Sequence, residues 1–509
     1  MFLLIISIAA MTFPLTVMAD DTDKTTDKII ASQSVRNNFR QSVYVNPAAH
    51  YFKDDYSLTS IYFMGVKDDA SEQKIAQMGS GNSFWGLNAR SQFIIDTHNR
   101  VWGEASYNKG TREDVIWNET SDFALLYPYV MADAKGGDLD YEQYFFNGGY
   151  AGRHNNIVYG AALQYRALDE YRTRDPRPNN VVADLNAKIG VGVVLGRYSL
   201  NIGLYAGKYK QTNNLKYFNG LGASKEYHLT GIGNEFVRFS GASNNVFYKG
   251  NNIGASIEFV PITIDGLSVS INYNRFAFEK ILSDLNKLAL NELSQNKLSG
   301  EITWINTRGN NTSYGIKVDS RYSERKGWDN LFGDAVSNAY PKIGSTLMYR
   351  SKMKNYRLAG FYESKITTHL PFGISPYMSY GSFESRHTES LNKFSSDSYL
   401  LGALLHGTYI RGCNSFRISV NTDYRIANDS KISISEDGSC NEELKHQLIH
   451  TANYFAKNEL NTRIALRYQL LLKHKHLGCY IETAWQHRHY LEQHNDEKYT
   501  RTARDHFLL

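Results

Sequence analysis

Apolar and polar residues alternate in the segment 188–210, the most apolar stretch after the first 20 residues. Every second residue is apolar over 189–195, and a second alternating run covers 198–206. A period of two residues is typical of β-strands, and the break at Gly196-Arg197 predicts a tight turn between them. A membrane-spanning helix would need about 20 mostly apolar residues without a charge at its centre. The pattern therefore predicts a β-hairpin that crosses a membrane.

The same alternation recurs along the chain, most clearly towards the C-terminus. Further alternating runs cover 253–259, 267–273, 416–426, 464–472 and 477–485. Eight short turns are predicted at 96–99, 152–156, 196–197, 260–265, 307–311, 369–372, 411–414 and 473–476. Nine longer polar segments alternate with them: 68–82, 111–140, 171–181, 211–245, 281–293, 327–343, 387–396, 428–461 and 491–503.

Short turns that alternate with long loops are typical of outer-membrane barrels. The sequence therefore predicts an all-β protein, a transmembrane antiparallel β-barrel of about 16–18 strands with short periplasmic turns and long extracellular loops. Segment 342–366 is compatible with one long strand or two short ones. A soluble propeller or sandwich is the alternative, but it would not pair short turns with long loops so regularly.

Three segments are predicted along the chain. Residues 1–19 are apolar and end on Val-Met-Ala, as in a secretory signal peptide. Residues 20–56 form a periplasmic N-terminal segment, which could fold into the lumen or lie along the periplasmic rim. They are too few for the plug domain of an energy-coupled transporter. Residues 57–509 form the barrel, and the expected location is the cell outer membrane.

Composition agrees with a membrane barrel and excludes other classes. The chain has 36 Tyr, 25 Phe and 39 Gly but only 9 Pro, which suits strands with aromatic rings at two membrane interfaces. The net charge of +5 is small for 509 residues, and no basic block indicates nucleic-acid binding. Cys413, Cys440 and Cys479 have no evident partners, so we predict no obligatory disulfide.

Several stretches carry a family resemblance. They read VNPAAHYF (45–52), GSGNSFWGLNARSQF (79–93), NRVWGEASYNKG (99–110), LLYPYVMAD (125–133) and GGDLDYEQYFFNGGYAG (136–152). Together they resemble an uncharacterised outer-membrane β-barrel family of gut-type Gram-negative bacteria. The resemblance implies the fold and the location, and it supplies no catalytic residues. Asn46-Pro47-Ala48 is also similar to a short motif of fatty-acid-channel barrels.

Charged residues alternate along the last strands, on the face opposite the apolar one. The candidate lumen-lining residues are Arg417, Asp423, Arg425, Arg463, Arg467, Glu482 and Arg488. A stripe of arginines in a pore favours anions. Alternatively, Arg–Asp and Arg–Glu pairs simply fill and stabilise the interior, and we favour this alternative because acids accompany the arginines.

Evidence for a catalytic or metal site is weak. His446 and His450, or two strand histidines further on, have a spacing that suits a metal, but no third ligand is fixed. No G-x-S-x-G elbow is present, and His228 with Glu226 and Glu235 is the best acid–base cluster. We predict no cofactor, no metal and no enzymatic activity.

The predicted function is a passive channel or an accessory component of solute uptake, with the loops 111–140, 211–245 and 428–461 controlling access. Tyr127 and Tyr129 are predicted at a membrane interface, although a loop this aromatic could fold inward and constrict the pore. The alternatives are a non-conducting binding or assembly scaffold and, third, a barrel hydrolase. Expected partners are outer-membrane lipid, the insertion machinery and a surface protein or transporter partner, but no nucleic acid.

Overall fold

The chain folds as a closed antiparallel β-barrel. A computed structural model describes residues 10–12, 33–70, 75–219, 224–239, 245–309, 312–337, 339–365, 370–435, 440–472, 477–491 and 503–508. The main sheet has 19 strands, of which 18 follow one another around the barrel. The remaining strand, Ala10–Thr12, pairs through Met11 with Ile61 and Cys479 at the seam. The rest of the predicted signal peptide lies outside the described residues.

The barrel strands are numbered β1 to β18 in chain order. They are β1 Leu58–Ala70, β2 Gly81–Ile94, β3 Asn99–Val115, β4 Gly137–His154, β5 Ile157–Tyr171, β6 Arg177–Leu195, β7 Tyr198–Lys216, β8 Asn245–Pro261, β9 Gly266–Leu282, β10 Leu288–Arg308, β11 Thr312–Phe332, β12 Lys342–Lys365, β13 Pro371–His387, β14 Lys393–Arg411, β15 Asn414–Ser433, β16 Asn458–Leu472, β17 Leu477–Leu491 and β18 Ala503–Leu508.

Each strand pairs with the next, and the last strand closes the ring. Phe507 of β18 lies opposite Trp485 of β17 on one side and Lys67 of β1 on the other. A closed ring has no unpaired sheet edge, which is the condition for a β-sheet to cross lipid. The predicted barrel and its strand number are confirmed.

An apolar belt surrounds the outside of the barrel. Ile189 of β6 and Ile202 of β7 are 60% and 52% exposed, and they point away from the lumen. The two strands meet at Gly196, whose φ of +61° suits the predicted tight turn. Such an outward apolar surface is stable only in lipid. The protein is therefore an outer-membrane β-barrel. No helix among the described residues is both long and apolar enough to cross a membrane.

The strands extend beyond the membrane at the end that carries the long loops. Strand β12 is a single strand of 24 residues, whereas about ten suffice to span the bilayer. The strands extend into three of the predicted long loops, which are therefore shorter than expected. The connections that remain are 172–176, 283–287 and 388–392. Exposed lysines, among them Lys208, Lys210 and Lys249, lie on the outside of the barrel there.

Two groups of segments fold inside the barrel. At the short-turn end lie α1 Val35–Arg40 and the 3₁₀ turns Gln41–Val43 and Ala49–Phe52; we call residues 33–57 the plug. At the long-loop end lie the 3₁₀ turn Ala76–Met78, α2 Phe123–Leu126, α3 Glu442–Phe455 and the short strands Met131–Ala132, Tyr227–Gly231 and Asn234–Glu235. We call residues 116–136, 224–239 and 440–457 the cap.

Helix α3 is the longest helix described, and its sequence explains its start. The side chain of Asn441 accepts hydrogen bonds from the backbone N–H groups of Glu443 and Leu444. Glu442 and Glu443 place negative charge in the first turn, where the helix dipole favours it. Leu444 is buried against the other cap segments, so the helix is tied to the cap at its beginning.

Candidate functional site

The plug is seated in a bay of glycines on the barrel wall. Asn46-Pro47-Ala48 lies against Gly160 of β5, Gly190 of β6 and Gly203 of β7. A Cβ atom on Gly160 would lie 2.6 Å from the backbone of Pro47, and one on Gly190 would collide with the Asn46 side chain. Only glycine therefore allows the backbone of the plug to approach the sheet this closely.

A buried glutamate fixes the same turn of the plug. Oε1 of Glu258, on β8, accepts a hydrogen bond from the backbone N–H of Asn46 at 2.7 Å. Glu258 is fully buried, and a hydrogen bond in a dry environment is stronger than one in water. Apolar packing extends the seat, because Val43, Ala48 and Ala49 are fully buried in a cluster with strand residues of β4, β5, β6 and β8.

From this seat the plug crosses the lumen to the opposite wall. Val35 and Phe39 pack against inward side chains of β10 and β12, including Phe361, whose ring centre lies 4.7 Å from that of Phe39. At the near end of the described plug, the Gln33 side chain donates to Gln469 at 3.0 Å and accepts from Arg417 at 3.4 Å. The predicted N-terminal segment thus lies in the lumen from residue 33 onwards.

The cap closes the other end of the lumen over β5 to β10. Trp117, Leu126 and Tyr129 are completely buried, and they pack on inward residues such as Tyr248 and Phe276. The expectation that Tyr127 and Tyr129 anchor at a membrane interface is wrong, because the loop 116–136 folds inward. Tyr129 is completely buried, and the Tyr127 hydroxyl accepts a hydrogen bond from the backbone N–H of Ile232 in the cap. The alternative, an inward-folding loop, is confirmed.

Buried ion pairs secure the cap to the wall. Nη1 of Arg172 lies 2.8 Å from Oδ2 of Asp133, and both side chains are almost fully buried. The guanidinium of Arg166 donates to both carboxylate oxygens of Asp122, at 3.0 and 2.5 Å. Fork-to-fork pairing of this kind fixes orientation as well as contributing energy.

Two cap segments meet through a pair of carboxyl groups. Glu119 and Glu226 are buried, and they face each other across the contact between residues 116–136 and 224–239. Burial and the neighbouring carboxyl group raise the pKa of Glu119 well above its ordinary value, and burial also raises the pKa of Glu226.

The best acid–base cluster of the sequence is not assembled. His228 is fully buried, and neither ring nitrogen has a hydrogen-bond partner. Burial and the nearby Lys280 lower the pKa of His228 well below its ordinary value, which keeps the ring neutral. Glu235 pairs with Lys225 at 2.7 Å instead of with the histidine. This arrangement gives the histidine no partner for proton transfer.

An inner cavity of about 600 Å³ lies between the plug and the wall formed by β1, β2 and β14 to β17. Four arginines and one glutamate line it: Arg90, Arg417, Arg463, Arg467 and Glu482. The remaining lining is mostly neutral and polar, and it includes Gln33, Asn38 and Gln41 of the plug.

An outer cavity of about 680 Å³ lies under the cap, along β12 to β17. Its lining is mainly apolar, with Phe383, Phe394 and Phe455 among its members. Asp423, Arg425, Glu459, Asn461 and Arg488 form its charged and polar side. A third cavity of about 450 Å³, rich in asparagine, lies on the opposite wall between Val45 of the plug and Leu125 of the cap.

The inner and outer cavities adjoin along the same strands. Asn421 lines the inner cavity and Asp423 the outer one, and the two residues are neighbours on the inward face of β15. The boundary is a hydrogen-bonded group in which Asp423 accepts from Asn461 at 2.8 Å and from Tyr377 at 3.3 Å. The narrow point between the cavities is therefore polar and bridged by side chains.

The seven residues that the sequence places in the lumen all line these two cavities. Arg417, Arg463, Arg467 and Glu482 face the inner cavity, and Asp423, Arg425 and Arg488 face the outer one. Nε of Arg467 lies 2.5 Å from Glu482, so this arginine is neutralised. Within the described residues, Arg417 and Arg463 have no carboxylate within 4.0 Å.

Arg425 has a structural task. Its guanidinium donates to the backbone carbonyls of Phe455 at 3.0 Å and Lys457 at 2.7 Å, at the C-terminal end of α3. Glu459 lies 3.6 Å from Arg425 and 3.7 Å from Arg488. For these two arginines the structure agrees with the interpretation of internal ion pairs.

Arg90 and Glu459 also line the cavities, although neither belongs to the predicted lumen-lining set. Arg90 lies on the inward face of β2, more than 300 residues from the other arginines, and only ring closure brings it to the same cavity. Glu459 begins β16, where the alternation is too short to assign a face.

The strand histidines face away from the lumen. His487 and His489 stack with Trp485 on the outer face of β17. Among the described residues, no group of three or more His, Cys, Asp or Glu side chains is placed to hold a metal ion.

Residues 47–507 match the model of DUF6850, a family of unknown function, and the chain belongs to this family. No curated protein matches the chain. Among solved structures, it is similar to the ferric-catecholate import receptor Fiu from E. coli K12, with 10% identity, a TM-score of 0.40 and coverage of 90% of this chain and 78% of that chain. It is also similar to the siderophore receptor PiuA from Acinetobacter baumannii, with 8% identity, a TM-score of 0.36 and coverage of 88% of this chain and 81% of that chain.

Proposed function

We propose that the protein is a passive outer-membrane channel that admits small anionic solutes. The observation that carries the proposal is that the inner and outer cavities adjoin along one wall, beside the plug and the cap. A solute that crosses the polar boundary at Asp423 would move between the two ends of the lumen without unfolding the plug.

The charges of the inner cavity support a preference for anions. Arg417 and Arg467 lie directly opposite each other on β15 and β16, and only Arg467 has a carboxylate beside it. Arg90 and Arg463 bring further positive charge to the same space. Arginines facing a narrow aqueous space raise the local concentration of anions.

The cap supplies a means to regulate access. Helix α3 covers the outer cavity through Leu448, Thr451 and Phe455. It is tied to the wall by Arg425 and by a hydrogen bond of 2.7 Å from the Ser430 hydroxyl to the backbone carbonyl of Ala452. A movement of α3 that breaks these two contacts would open the outer cavity.

Single-channel conductance of the refolded protein in a planar bilayer tests the proposal. Discrete steps are expected, with a reversal potential in a salt gradient that shows anion preference. The combined substitutions Arg417→Ala, Arg463→Ala and Arg467→Ala should abolish that preference. As the control, Lys208→Ala, Lys249→Ala and Arg275→Ala remove three exposed charges from the outer surface and should leave it unchanged. Selectivity that survives the first set would refute the arginine route.

A non-conducting scaffold is the second candidate, because the plug and cap fill most of the lumen along β5 to β10. A correctly folded barrel that gives no current steps would favour it over a channel.

A further inference from the structure

We propose that the outer cavity binds the apolar body of an organic carboxylate, with its charged end directed towards Arg463. If the protein is the proposed channel, such a carboxylate is the class of solute that it admits, and this part of the inference rests on the proposed function. The binding itself can be tested without any current.

The outer cavity has an unusually apolar lining for the lumen of a barrel. The lumen of a membrane barrel is ordinarily polar, because water fills it. Here the outer cavity is lined by six apolar side chains that are only partly buried: Met353, Phe383, Phe394, Ile432, Leu448 and Phe455. Met353 is 44% exposed although it faces inward. Apolar surface left open inside a cavity is stabilised when an apolar ligand covers it.

Three phenylalanine rings lie close together in the outer cavity. Phe383 and Phe394 lie on neighbouring strands with ring centres 5.9 Å apart, and Phe455 of α3 lies 6.0 Å from Phe394 from above. Phe394 thus contacts a ring on the neighbouring strand and a ring on the helix, both in tilted arrangements. A ligand ring could add a further contact of this kind, since tilted aromatic contacts at these separations are favourable. A cavity of about 680 Å³ has the size of typical small-molecule sites.

Arg463 is the cation that could bind the charged end of the ligand. The two arginines of the outer cavity are occupied, because Arg425 holds the end of α3 and shares Glu459 with Arg488. Arg463 lies two positions beyond Asn461 on the same face of β16, about 7 Å along the strand, and no described carboxylate pairs with it. A ring under α3 joined by a short chain to a carboxylate would reach it.

The probe is 4-phenylbutyrate, and butyrate is the matched probe without a ring. Equilibrium dialysis of each labelled compound against the full-length protein in lipid nanodiscs, with empty nanodiscs as blank, measures the binding. Saturable binding of 4-phenylbutyrate is expected, with butyrate binding at least about tenfold more weakly because the ring contributes the apolar area.

The variants separate the two ends of the site. Phe394→Ala with Phe455→Ala should weaken 4-phenylbutyrate binding about tenfold or more, and the milder Phe394→Leu should weaken it less. Arg463→Ala should reduce the preference for 4-phenylbutyrate over uncharged 4-phenylbutanol. Phe416→Ala removes a ring from the lipid-facing side of β15 and should change nothing.

The outcomes are distinguishable from those of the proposed function. Saturable binding in a barrel that gives no current would support this site and refute the channel. Current steps without saturable 4-phenylbutyrate binding would overturn the site and leave the channel standing. Equal binding of 4-phenylbutyrate and butyrate would also overturn the proposed site. So would unweakened 4-phenylbutyrate binding by the Phe394→Ala, Phe455→Ala variant.

Discussion

The two halves of the lumen differ in what they hold. Along β5 to β10 aromatic and aliphatic side chains such as Tyr248 and Phe276 pack beneath the cap, glycines such as Gly160 and Gly190 lie beneath the plug, and an asparagine-rich cavity separates the two. Along β14 to β17 the inward side chains are largely polar or charged and face two cavities. We call these the filled half and the open half.

The difference shows how one barrel can be both stable and permeable. In the filled half, inserted segments bury apolar surface and so stabilise the barrel interior. In the open half, charged residues line the two cavities, and inserted segments bind only some of them: Gln33 of the plug binds Arg417, and the end of α3 binds Arg425. The two roles are separated by strand, not by depth in the membrane.

The largest expected effect comes from destroying the seat of the plug. In Gly190→Leu the new side chain would occupy the position of the Asn46 side chain, and its Cβ alone would lie 3.2 Å from the backbone nitrogen of Ala48. We expect the plug to leave the lumen and the single-channel conductance to rise several-fold. Protease cleavage within residues 33–57 should rise with it.

Gly65→Leu is the matched control, because a Cβ at Gly65 meets no atom within 4 Å. Its conductance and protease resistance should equal those of the parent protein. An unchanged conductance in a folded Gly190→Leu barrel would show that the plug does not limit the current.

A smaller effect is expected from Asp133→Asn in the cap. The substitution leaves the buried guanidinium of Arg172 without its charge partner, which costs about 3–5 kcal/mol. Hydrogen exchange of residues 116–136 should accelerate accordingly. Glu142→Gln removes an exposed pair with Lys109, which water and salt screen, and should leave the exchange of these residues close to that of the parent protein. Equal exchange rates in the two variants would contradict the account of the cap.

The smallest effect is a pH dependence of the cap. The pKa of Glu119 and that of Glu226 are both raised in the folded protein, so the protonated pair stabilises the contact between the two cap segments. This stabilisation is complete below the ordinary carboxyl pKa of about 4.5 and is lost as the pH rises through the raised values.

Exchange rates of residues 224–239, corrected for intrinsic pH dependence, should therefore increase with pH in the parent protein. Glu226→Gln should flatten this increase, because the amide cannot ionise. An identical pH profile in the variant would assign the effect to other groups.

The fold could be predicted from the sequence because the barrel depends on local alternation. The face of each residue in the hairpin at 188–210 follows from a period of two, and this assignment is confirmed by the exposed Ile189 and Ile202. Loop lengths were predicted less well, since polar residues that face water outside the membrane extend β12 and its neighbours as strands. Polarity alone does not separate such a strand from a loop.

The candidate site was only partly predictable. Alternation identified Arg417 and Arg463 as inward residues, because β15 and β16 are neighbours in sequence. It could not bring Arg90 to them, since that contact depends on closure of the whole ring. Neither could it show that Arg425 binds the end of α3, because a hydrogen bond to backbone carbonyls leaves no trace in the composition of either segment.

The length of the strands has a consequence for anything that approaches the cell. A strand of 24 residues exceeds the membrane requirement by about 14, which for a tilted strand is roughly 30 Å of wall above the lipid. The connection 388–392 joins strands of 17 and 19 residues, so it stands above the lipid but lower than the start of β12. A peptide epitope inserted at 388–392 would be displayed to antibodies or phage above the bilayer, on a rigid mount beside this taller wall.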